Sequence, residues 1–216
     1  MHENKRNKLL LIPMLIIANL YPLFGVLQHG WTLFSVVYIY WLEFLIITFF
    51  DGLKILSSNK KPTISLIAKL LLWIKFLLIR FGIFAFYMLF IIVFLGLKNM
   101  DSNNSKDMLT FAQTVSLKAP YFRLALFQFF VYNLLDFIVK YIATGAYKNE
   151  TPFENFNFFD RRILVVHLSI FIGAFLYVFL ADKLHFNAQN ATLVCVSIFI
   201  LVKIVPDMFL SNLQYE

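Results

Sequence analysis

Charge is scarce in this sequence. Only 14% of its 216 residues are Asp, Glu, Lys or Arg, against roughly 25% in a soluble domain. So few charges cannot cover a water-facing surface. Cysteine is nearly missing as well: Cys195 stands alone, so no intramolecular disulfide can form and the redox compartment cannot be read from it. The sequence contains no P-loop, no G-x-S-x-G elbow, no H-E-x-x-H pair and no Rossmann glycine pattern. Those absences exclude the common soluble enzyme classes that depend on these motifs. Without a His-x-x-His, Glu-x-x-His or cysteine pair, neither a metal nor another cofactor is expected. There is no internal repeat at fixed spacing and no low-complexity tract.

What is there is apolar. Hydrophobic residues make up 61% of the chain and aromatics 19%, with 27 Phe and a mean hydropathy of +0.77. Lipid is the solvent in which such side chains can face outward as well as inward. The net charge of +7 does not point to nucleic acid, because the basic residues sit at the ends of apolar runs and form no stripe. The bilayer is the expected partner; the residues leave a homo-oligomer and a membrane-protein partner both open.

An α-helix needs about 20 apolar residues to cross the hydrocarbon layer. On that rule the chain is a single integral membrane domain, an all-α polytopic bundle of about six spans. They run over about 9–27, 31–50, 77–97, 120–141, 163–180 and 191–210. Met1 to Lys8 is basic and precedes the first apolar run, with no A-x-A-like cleavage site after it, so that run reads as a retained span. Pro22 is expected to kink or end it. Residues 64–76 carry Lys69 and Lys75 among Leu, Ile and Trp73. They read as an amphipathic helix on the cytoplasmic interface, with one long tilted helix over 64–97 as the competing reading. With the N-terminus inside, thirteen Lys and Arg lie on the inner side and five on the outer. That bias places both termini in the cytoplasm and the protein in the inner (plasma) membrane.

Ionisable residues inside spans are functional candidates by default, since each costs several kcal/mol unless paired or wet. Glu43 lies near the middle of the second span, His167 about two turns into the fifth and Lys203 in the sixth. At about 1.5 Å per residue, these three fall at one depth, in the cytoplasmic half of the layer. Asn133 falls near that level, with Asp136 and Asp207 one turn lower. The reading is a buried polar cluster with a Glu43–Lys203 ion pair at its core, His167 alongside and Asp207 competing for the lysine. Opposite charges at matching depth stabilise each other's charged form, whereas a lone one would shift its pKa and neutralise. Such a cluster can also serve only to fix helix register.

Two stretches carry a resemblance. One is Asn19-Leu-Tyr-Pro-Leu-Phe-Gly-Val through Gly30-Trp31 and Tyr40-Trp41-Leu42-Glu43. The other is Asp160-Arg161-Arg162-Ile-Leu-Val-Val-His167 through Ile172-Gly173, followed by Lys203 and Asp207. Together they resemble an uncharacterised family of small polytopic prokaryotic membrane proteins, a domain of unknown function with a Tyr-Trp-x-Glu motif in its second span. The chain departs from that pattern at Phe44, where Asn is expected, and at residues 159–162, where Pro-Tyr-x-Arg is expected. The resemblance implies six spans and no particular activity.

Three functions fit these residues. The first is a small transporter or ion-coupled protein using Glu43, His167 and Lys203. The second is a structural or accessory subunit whose cluster locks helix packing. The third is a membrane-embedded lipid-modifying enzyme with His167 as base. Overall the residues lean away from an enzyme.

Overall fold

A computed structural model of the chain describes residues 2–60, 64–93, 105–156 and 161–213. All regular structure among them is helical: α1 (His2–His29), α2 (Leu33–Ser57), α3 (Leu66–Phe90), α4 (Ser105–Val115), α5 (Phe122–Phe137), α6 (Arg161–Asp182) and α7 (Ala188–Leu213). Five stretches are long and apolar enough to cross a membrane: Leu11–His29, Leu33–Ser57, Leu66–Val93, Phe122–Ile142 and Ile163–Ala181. The protein is a multi-pass helical membrane protein. Helix α7 is 26 residues long, and its described apolar part is Gln189–Ile204. Helix is the forced choice for β-branched runs such as Val36-Val37 and Ile46-Ile47-Thr48, because lipid offers no partner for an unpaired peptide group.

The helix ends follow local chemistry. Thr32 caps α2 by accepting the Ser35 N–H at 3.3 Å, and Ser65 caps α3 by accepting that of Ala68 at 3.2 Å. Pro22 does not end α1, which runs on for seven residues to His29. Membrane helices tolerate proline because neighbours re-satisfy the freed carbonyl. The stop comes at Gly30, whose φ of +64° is left-handed, and the Trp31 N–H closes back on the Gly25 carbonyl at 3.2 Å. That bond, reaching back six residues, closes the helix end around the left-handed glycine. It lays the Trp31 indole against Gly25, where a Cβ would collide with the ring.

The chain organises itself around α2, which is buried over most of its length while α3 is mostly exposed. Contacts along α2 keep constant register with its neighbours. Against α3, Trp41 stacks on Phe84 at 3.7 Å, and Trp73 lies over Gly52. The Lys69 ammonium reaches the Ser58 carbonyl. As one number rises the other falls, so the two helices are antiparallel along their whole lengths. Against α5 both numbers rise together, from Trp31 with the Pro120 carbonyl (3.2 Å) to Tyr141 with the Lys54 carbonyl (2.9 Å), so those two run parallel. Helices α6 and α7 pack on the remaining sides, and α1, lying along α7 and α5, reaches α2 through the Asn19 carbonyl and the Tyr40 hydroxyl. Helix α4 covers the first turns of α2, through Ser35 Oγ to Thr114 Oγ1 at 2.9 Å and a Phe34–Phe111 stack.

The α2–α3 register corrects one expectation. No break separates an interface helix over 64–76 from a span starting at 77; Leu66–Phe90 is one unbroken helix, and π-type turns carry it to residue 93. The reason is side-chain packing. Lys69 and Trp73 have partners on α2 and its C-cap, and Phe76 packs on Phe156 of the loop before α6, so the first turns of α3 stand beside α2. At the turn of the same hairpin, Lys60 pairs with Glu154 at 3.2 Å. The Thr151 backbone N–H and Lys60 together hold the Glu154 carboxyl below its usual range.

Candidate functional site

Two buried ion pairs hang from α2, eight residues apart. The first joins Glu43 to Lys203 of α7. The Lys203 ammonium donates to Glu43 Oε2, and the two side chains are 5% and 3% exposed. Aromatic faces complete the enclosure. Lys203 Nζ lies 4.4 Å from the Tyr40 ring centroid and 4.7 Å from that of Phe129 on α5. Phe199, one turn before Lys203, stacks on Tyr40 at 4.5 Å. The cation therefore rests against the negative faces of two rings, with a carboxylate as its counter-charge. The outer edge of this box is α1. The Tyr40 hydroxyl donates to the Asn19 backbone carbonyl at 2.9 Å. Asn19 is fully buried, spends its amide N–H on the Leu15 carbonyl, and leaves Oδ1 without a hydrogen-bond partner. Asn133 follows Phe129 by one turn on α5, is buried, and donates to the Phe129 carbonyl at 2.9 Å.

His167 sits on a different side of α2. Its Nδ1 is 2.6 Å from the Ile163 carbonyl of its own helix, and its ring lies against Tyr87 (3.9 Å between centroids) and Phe44 (5.4 Å). Phe44 follows Glu43, so it projects about 100° further around α2, a consequence of 3.6 residues per turn. The cluster expected from depth is thus split: Glu43, Lys203 and Asn133 share one flank, while His167 faces the α3 side. Asp136 forms a pair with Lys140 of the following turn at 2.7 Å. The Asp207 side chain lies outside the described residues. Among the described residues no three His, Cys, Asp or Glu side chains come close enough to hold a metal ion.

The second pair escaped sequence reasoning. Arg80 of α3 is 1% exposed and places Nη2 3.3 Å from Asp51 Oδ2. Its guanidinium lies 5.6 Å from the Phe44 ring and 4.8 Å from that of Phe76. Asp51 Oδ1 also takes Lys54 Nζ at 3.1 Å. Register explains the reach. In the α2–α3 hairpin Arg80 stands opposite residues about 46 or 47, and helical side chains lean toward their own N-terminus. A long guanidinium then arrives about a turn nearer the loop that joins the two helices, where Asp51 waits. The signal available in sequence was Phe44 and Asp51, spaced by seven and so on one face, beside an arginine too far inside α3 to be interfacial.

No curated protein and no solved structure matches this chain. One family profile does, and it spans the helices that carry both ion pairs. By that match over residues 1–214 the chain belongs to DUF6498, a family of unknown function.

Proposed function

We propose that this protein is a prokaryotic inner (plasma) membrane protein of six spans, with α7 as the sixth, that couples movement of a proton or another monovalent cation to the Glu43–Lys203 pair. We take Tyr40-Trp41-Leu42-Glu43 as the family's Tyr-Trp-x-Glu motif, because it supplies both an aromatic face and the carboxylate of the box. The observation that carries this reading is the burial of a Glu–Lys pair inside an apolar bundle, where ionisable groups mark ion and proton pathways. A carboxylate that accepts a proton releases its lysine. A lysine displaced by another cation leaves the carboxylate occupied. Either event keeps Glu43 neutralised, and charge balances when the released Lys203 ammonium gives up its proton or swings to water.

The test is flux. In proteoliposomes with an internal pH dye, the protein should dissipate an imposed proton gradient, and Glu43→Gln should abolish this while remaining monodisperse in detergent. Undiminished flux in the variant would remove the reading. The packing-lock alternative has its own support: α7 packs chiefly on α6 and α1, so the pair is a main tie between α7 and α2. On that view neither wild type nor Glu43→Gln carries flux, and the variant only melts earlier.

Orientation rests on the thirteen-to-five bias of basic residues. A reporter fused at the C-terminus should be active only in the cytoplasm; activity confined to the outside would overturn the topology.

A further inference from the structure

The box around Lys203 has the chemistry of a ligand site already filled by a piece of its own chain. Tyr40 and Phe129 present ring faces to the ammonium at 4.4 and 4.7 Å. Glu43 supplies the counter-charge. Asn19 adjoins the box through its backbone carbonyl, which accepts the Tyr40 hydroxyl, and its side-chain Oδ1 is buried without a hydrogen-bond partner. An ammonium carries three N–H donors on a compact charge, and aromatic faces with a carboxylate are the standard means of recognising such a group. A residue needed only for packing would not require two ring faces and an acid from two further helices.

We propose that Tyr40, Glu43 and Phe129 form a binding site for small ammonium cations, in which Lys203 is the resting occupant and a free primary ammonium is its competitor. The inference rests on the cation-coupled reading above and names its substrate class. Four helices meet at the box: α1 through Asn19, α2 through Tyr40 and Glu43, α5 through Phe129, and α7 through Lys203 and Phe199. Exchange of the tethered ammonium for a free one would let α7 shift relative to α2 while Glu43 stays neutralised.

Chemical rescue tests this without measuring transport. Lys203→Ala removes the three terminal carbons and the ammonium, which n-propylammonium replaces atom for atom. In detergent, the melting temperature of Lys203→Ala should rise by several degrees, saturably, with n-propylammonium chloride and to a smaller extent with methylammonium. Sodium chloride at equal ionic strength should not raise it. The response should vanish in Lys203→Ala combined with Glu43→Gln, and weaken with Tyr40→Leu. Should Lys203→Ala accumulate poorly, the yield of monodisperse protein purified with and without n-propylammonium becomes the readout. A response no larger than that to sodium, or one indifferent to Glu43→Gln, overturns the site. Rescue without proton flux in the wild type upholds the box and removes the coupling reading; flux without rescue removes the ammonium site alone.

Discussion

Lys203→Ala will destabilise the folded bundle by about 3–5 kcal/mol, the range found when one partner of a buried ion pair is removed and the other is left uncompensated. Glu43 then stands in a box of aromatic faces, which are negative at their centres and worsen its position. A double replacement by apolar residues of similar size, Glu43→Leu with Lys203→Met, should recover most of the loss and end near wild type, because it also removes the desolvation of two charges. Denaturant unfolding in mixed micelles, followed by tryptophan fluorescence, reports both. A single variant costing less than about 1 kcal/mol, the level of an exposed pair, would mean that water reaches the site and that the box is not sealed.

Arg80→Ala should cost less, about 2–3 kcal/mol, which is the scale of a charge-assisted hydrogen bond in a buried setting. Asp51 keeps Lys54 at 3.1 Å, so its charge is not abandoned. The loss also includes the guanidinium's packing against Phe76 and Phe44. Arg80→Lys should recover only part of this, since a lysine stacks less well and cannot present a planar fork. The same unfolding assay applies. If Arg80→Ala proves as damaging as Lys203→Ala, Lys54 is not sharing Asp51 and the two pairs carry equal weight.

Much of the architecture was legible before any coordinates. Spans announce themselves because lipid removes the alternation that water imposes, and five of the expected crossings appear as long apolar helices. The approach of Glu43 to Lys203 was legible for a simple reason: both helices start on the same side, so equal residue counts give equal depths. Azimuth was not legible. His167 has the right depth and the wrong face, because one residue along α2 rotates the side chain by more than a quarter turn and brings Phe44, not Glu43, to the imidazole. The Asp51–Arg80 pair was hidden by length. Backbone depth placed Arg80 well above Asp51, and only the long side chain leaning toward the N-terminus of α3 closes the gap. The unity of α3 was obscured because lysines amid leucines fit an interface helix as well as a span. Trp73 over Gly52 decides between them, and a glycine in the last two turns of a helix carries no such message by itself.

Helix α2 is held from every flank: α1 and α5 by aromatic and hydroxyl contacts, α3 by stacking and Arg80, α6 by Phe44 on His167, and α4 over its first turns. It is the fixed axle of the molecule. A rocking cycle that tilted it would break all of those interfaces together, whereas α7 meets the axle at few points, Lys203 among them, and rests mainly on α6 and α1. Glu43 is therefore the better fixed of the two charges, and any movement at the pair has to come from α7 sliding on α1 and α6.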